Sequence, residues 1–147
     1  MRRCFHIFSI LLLSLGVVAL LAACAPQANE LAPESQLPAF LADAPAKFRD
    51  AYRFAMMNPH DLETIPCYCG CTAMGHTSNL SCYIKEFNTD GTIVFDEHAS
   101  QCGICIDITQ DVMMLKGQGK LPSAIRAYID TNYSKFGPGT DTPLPTG

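Results

Sequence analysis

The sequence predicts a mainly α protein: a small bundle of about four helices with a cysteine-rich loop and at most one short strand segment. Three observations carry this expectation. Apolar residues recur at helical spacing in separate stretches, prolines and glycines punctuate those stretches, and the cysteines gather in two tight groups instead of spreading evenly.

The first stretch, MRRCFHIFSILLLSLGVVALLAAC, opens with Arg2 and Arg3, runs through apolar residues from about Phe5 to Leu21, and ends in small residues before Cys24. That order matches a secretory signal peptide over residues 1–23, and the apolar run is short for a span that needs about 20 residues. Leu21 to Cys24, LAAC, resembles a bacterial lipobox, in which the cysteine is lipidated and becomes the first mature residue. The rest of the chain is then expected outside the cytoplasm, in the bacterial cell envelope, held to the membrane through Cys24.

Residues 24–38, rich in Ala, Pro and polar side chains, read as a lipidated flexible tether. APAKFRDAYRFAMM places Phe48, Tyr52, Ala55 and Met56 on one helical face, starts near Pro45 and stops before Pro59. PHDLETI adds a short turn or helix. TSNLSCYIKEF is expected to be helical, with Thr77 or Ser78 as N-cap and Cys82 on its first or second turn. TIVF, Thr92 to Phe95, follows the turn signal NTDG and is the one candidate strand. A longer helix is expected from about His98 to Lys116, ending at Gly117. LPSAIRAYIDTNY then carries Pro122 near the first helical position and an apolar stripe of Leu121, Ile125, Tyr128 and Ile129. The folded part is taken as residues 39–136, and the Gly- and Pro-rich residues 137–147 as a disordered tail.

Loss of residues 1–23 would remove two of the ten basic residues and none of the fourteen acidic ones, leaving a mature net charge of −6. Nucleic acid is excluded as a partner, because its binding relies on clustered Lys and Arg and no such patch is present. A domain of this size often depends on metal or disulfide staples.

Of the eight cysteines, Cys4 leaves with the signal peptide and Cys24 is the lipid site. Cys67, Cys69, Cys71, Cys82, Cys102 and Cys105 remain, and an even number outside the cytoplasm permits three disulfides in any of about 15 connectivities. Spacing points elsewhere. On a helix, His98, Cys102 and Cys105 at i, i+4 and i+7 share one face, which reads as one wall of a metal site. Gly70 lets the C-x-C-x-C loop curl so that alternate thiols need not diverge. His76 and Cys82 stand near enough in sequence to complete the pocket. The candidate ligands are thus Cys67, Cys69, Cys71, His76, Cys82, His98, Cys102 and Cys105.

Thiolates favour Cu(I), zinc and other soft ions, and imidazole suits copper and zinc. The donors exceed the four of a structural zinc site, so a binuclear or small multinuclear centre, or a site with some cysteines bridged and others ligating, is expected, with Cu(I) ahead of zinc. Met74, inside the loop, is the best-placed thioether, although methionine more often fills cores. Cys102 is followed by Gly103, Ile104, Cys105 and Ile106, which lacks the histidine of a c-type haem attachment. The same C-x-x-C matches the spacing of thiol–disulfide oxidoreductases, without their βαβ context. No paired acid and base is visible, and Asp107 and Asp111 read as a solvated face.

PCYCGC (Pro66 to Cys71), then GHTSNLSC, HASQCGIC and the AIRAYIDTNY ending, together resemble the bacterial PCYCGC motif-containing lipoprotein family over roughly residues 48–133. The resemblance implies a lipid-anchored location and a common grouping of the cysteines, and it implies no reaction. Three functions stand as expectations. The first is a protein that sequesters Cu(I) or zinc or hands it to a partner protein. The second is a disulfide-stapled interaction domain, and the third an oxidoreductase using Cys102 and Cys105.

Overall fold

The computed structural model describes residues 29–146. The expected signal peptide, Cys24 and the first residues of the expected tether lie outside them. Four α-helices form among the described residues: α1 (Ala46–Met57), α2 (Pro59–Glu63), α3 (Gly103–Gly117) and α4 (Pro122–Tyr133). Prolines set three of these starts. Pro45 precedes α1, and Pro59 and Pro122 occupy the first turn of α2 and α4, where a missing N–H costs nothing.

α3 lies at the centre, with α1 and α4 packed against it. It buries Cys105, Ile106, Ile108, Thr109, Val112 and Leu115, more than one face of a surface helix requires. α1 contributes Ala51, Tyr52, Phe54, Ala55 and Met56, and α4 contributes Ile125 and Ile129. Tyr52 and Tyr83 meet edge to face with ring centroids 4.9 Å apart, a favoured arrangement for two ring quadrupoles.

Two strands form an antiparallel hairpin, β1 (Ile84–Phe87) with β2 (Ile93–Phe95). β2 is the expected strand, but β1 corrects the expectation of a helix through TSNLSCYIKEF. Only Leu80–Cys82 makes a single 3₁₀ turn there, after which the chain extends. Its partner strand supplies the reason: Ile84 pairs with Phe95 and Phe87 with Ile93 across the NTDG turn. Asp90 closes that turn by accepting the Thr92 N–H at 2.9 Å.

A second correction concerns the expected helix from His98 to Lys116. His98–Gln101 form a separate 3₁₀ turn, and α3 begins only at Gly103, because Cys102 is extended (φ −121°, ψ 99°). His98 therefore reaches the cysteines from a turn and not from a helical stripe.

Both ends of the described chain pack where composition predicts mobility. Ala32 is fully buried, with its carbonyl accepting from Arg53 Nε at 2.5 Å, and Asn58 Nδ2 donates to the Glu30 carbonyl at 2.8 Å. At the other end Thr140 and Thr142 are buried, and Arg126 Nη1 donates to the carbonyls of Thr64, Thr142 and Pro143. The described part of residues 137–147 thus lies against the body instead of forming a disordered tail. No helix of the described residues is long and apolar enough to cross a membrane.

Candidate metal centre

The cysteine loop enters from α2 and is turned by two glycines. Gly70 (φ 83°) and Gly75 (φ 82°) both occupy the left-handed region on either side of a 3₁₀ turn, Cys71–Met74. Side chains rarely adopt that backbone, so these two positions let the loop double back. Cys67 is fixed from the C-terminal segment: its N–H donates to Thr140 Oγ1 at 2.9 Å and its carbonyl accepts the Thr140 N–H at 3.0 Å.

The opposite wall is α3 and the turn before it. Cys102 occupies the N-cap position and Cys105 the first turn, so C-x-x-C places one thiol at the helix entrance and one inside. A buried polar network fixes Cys105. Tyr83 donates to its carbonyl at 2.8 Å and lies 2.7 Å from Thr109 Oγ1, whose hydroxyl donates to Asn79 Oδ1 at 2.7 Å. Tyr52 fixes the His98 turn, donating to the Asp96 carbonyl at 2.7 Å and accepting the Ser100 N–H at 3.2 Å.

These supports bring the sulfurs together. Cys67 Sγ lies 3.1 Å from Cys69 Sγ, 3.0 Å from Cys71 Sγ, 3.4 Å from Cys105 Sγ and 3.5 Å from Cys82 Sγ. Cys69 Sγ stands 3.4 Å from His98 Nε2, and Cys82 Sγ stands 3.5 Å from His76 Nδ1. Four sulfurs bound tetrahedrally at about 2.3 Å from one ion would be about 3.8 Å apart, so the cluster is already at the compactness an ion requires. Among the described residues three overlapping donor groups have the geometry to hold a metal: Cys67, Cys69, Cys71 and Cys105; Cys69, His98, Cys102 and Cys105; and Cys71, Cys82, His98 and Cys105. Seven of the eight residues singled out from the sequence fall in these groups. His76 does not, although it reaches Cys82 and its ring meets that of His98 edge to face at 5.2 Å. Met74 is more than half exposed.

Cys69 and Cys71 are joined as a disulfide, and Cys67, Cys82, Cys102 and Cys105 are free. One pair is thus bridged and four thiols are free, the mixed arrangement among those the spacing allows. The bond links near neighbours in sequence and closes a loop of only three residues, worth on the order of 1–2 kcal/mol by loop entropy, so it staples no distant elements. Cys67 is nearly equidistant from the two bonded sulfurs. Thiol–disulfide exchange needs approach along the S–S axis, and a side-on position does not provide it. Reduced to thiols, the three sulfurs would offer a face that one ion can cap.

Electrostatics favour the same use. Hydrogen bonds from Cys105 and then Cys82 hold the Cys67 thiol down at about 3 despite burial. Cys105 is pushed far up by its bonds to Cys67 and Cys82 and by burial. At Cys82 the bond with Cys105 pulls downward, but Cys67 and burial together raise it. Negative charge in the buried pocket is thus favoured on Cys67, while Cys82 and Cys105 are held towards the neutral form.

The sequence did not reveal the supporting residues Thr140, Asn79, Tyr83 and Asp96. Asp96 Oδ1 accepts the His98 N–H at 2.7 Å, while its Oδ2 stands 3.6 Å from His76 Nε2. An acid two residues before a histidine was the only local signal for it. No match was found among curated proteins or among solved structures. A family model described as a protein of unknown function with PCYCGC motif matches residues 22–145, and the chain belongs to that family.

Proposed function

We propose that this protein binds a soft metal ion, Cu(I) ahead of zinc, and sequesters it or hands it to a partner protein outside the cytoplasm. The lipid on Cys24 would keep it at the membrane of the cell envelope. The observation that carries the reading is the convergence of six sulfurs and a histidine from four separate chain segments into groups whose donor atoms lie within 4.8 Å of one another. Sulfur-rich donor sets select soft ions, and the low-coordinate thiolate environments accepted by Cu(I) rank it first. The loaded form is the reduced one, in which Cys69 and Cys71 are both thiols.

Cargo transfer fits the architecture because the donors differ in backbone. Cys105 sits on a rigid helix, while Cys69 sits on the loop and is partly exposed. Such a donor can change partners without unfolding the core. The test is titration of the dithiol-reduced chain, without oxygen, against a chromophoric Cu(I) chelator and separately against a zinc indicator. Withdrawal of Cu(I) at a fixed stoichiometry is expected. Failure to withdraw either ion would overturn the reading.

A further inference from the structure

Resting on that reading, we infer that the donors form two overlapping ion positions joined at Cys105, an inner one that retains its ion and an outer one that exchanges it. Burial divides the donors. Cys67, Cys71, Cys82 and Cys105 are all buried, the first three within the loop and the turn after it. Cys69, His98 and Cys102 are each partly exposed. Their neighbours Gly70, Gln101 and Gly103 are exposed, so this edge of the cluster reaches the surface.

Each set is compact enough for an ion. The four inner sulfurs are linked by separations of 3.0 Å (Cys67 to Cys71), 3.4 Å (Cys67 to Cys105), 3.5 Å (Cys67 to Cys82) and 3.9 Å (Cys71 to Cys82). The outer set, Cys69, His98, Cys102 and Cys105, has all four donor atoms within 4.8 Å of one another. Cys105 belongs to both, and a thiolate sulfur has the lone pairs to bridge two soft ions; His98 also lies within 4.8 Å of Cys71 and Cys82, so Cys102 is the donor that belongs to the outer position alone. The inner set is all sulfur, whereas the outer set mixes three sulfurs with an imidazole.

The two sets also differ in what covers them. Thr140 and the C-terminal segment lie behind Cys67, and Tyr83 lies beneath Cys105, so an inner ion leaves only by disturbing the core. An outer ion is reached at Cys102 and His98 without such movement. The Cys69–Cys71 disulfide takes one donor from each set. A dithiol reductant restores both, giving up two electrons and two protons to form two thiols and ending as a disulfide itself.

The experiment loads the full-length, dithiol-reduced chain in detergent with Cu(I) and follows its release to excess Cu(I) chelator by absorbance. Two release phases are expected, fast and slow. C102S, at a partly exposed position, should lose the fast phase and keep the slow one, with the helical circular dichroism unchanged. A single phase in the parent chain, or proportional loss of both phases in C102S, would overturn the division into two positions. Absence of any bound Cu(I) or zinc in the parent chain would instead overturn the metal reading beneath it.

Discussion

Thr140 brackets the backbone of Cys67, its hydroxyl accepting the Cys67 N–H at 2.9 Å while its own N–H donates to the Cys67 carbonyl at 3.0 Å. The two residues are 73 positions apart in sequence. T140V keeps the shape, removes the hydroxyl and leaves a buried N–H without its acceptor, which costs about 1–3 kcal/mol. Urea unfolding of the variant should show a midpoint lowered to match. An unchanged midpoint would mean that the C-terminal segment does not hold the loop.

Cys69 and Cys71 cannot serve as thiolate donors while they are bonded to each other. Protein treated with a dithiol should therefore take up more Cu(I) per chain than protein kept oxidised, measured by metal analysis after gel filtration. Equal uptake in the two states would place the binding site away from this pair.

Tyr83 carries the contact between the turn after the loop and the first turn of α3. Y83F removes the hydroxyl that donates to the Cys105 carbonyl and approaches Thr109. The expected loss is about 1–2 kcal/mol in chemical denaturation, with a weaker hold on metal because Cys105 is less well fixed. Full stability in Y83F would show that the network is redundant.

Burial raises Tyr83 well above the ordinary phenol range, and burial also raises Tyr52 against the opposing bond from Ser100. The folded state favours the neutral phenol, so the stabilisation is complete below the unfolded value of about 10 and is lost as pH rises beyond it. Tyrosinate absorbance from these two rings should appear together with loss of helical signal, above the pH where exposed tyrosines titrate. Ionisation of every tyrosine near pH 10 in an intact fold would contradict their burial.

The readable parts of the sequence were the locally determined ones. α1, α2 and α4 could be placed because Pro45, Pro59 and Pro122 fix their starts, and β2 because NTDG marks a turn before it. β1 was missed because Lys85 and Glu86 suit a helix and only pairing with residues 93–95 makes them a strand. Spacing alone groups His98 with Cys102 and Cys105 through a helical stripe, whereas the structure brings it there through a turn held by Asp96 and Tyr52. The glycines and prolines of the C-terminal segment predict disorder. Its order comes from bonds to Cys67, Thr77 and Arg126, none of which leaves a local pattern.

The central claim is that these thiols hold metal in preference to one another. Native mass spectrometry of the chain, purified from an extracytoplasmic compartment without oxygen, tests it most directly. A mass raised by more than one copper or zinc ion, with most thiols still open to alkylation, is the predicted result. A metal-free mass lowered by the hydrogens of three disulfides would contradict the account and leave a stapled interaction domain in its place.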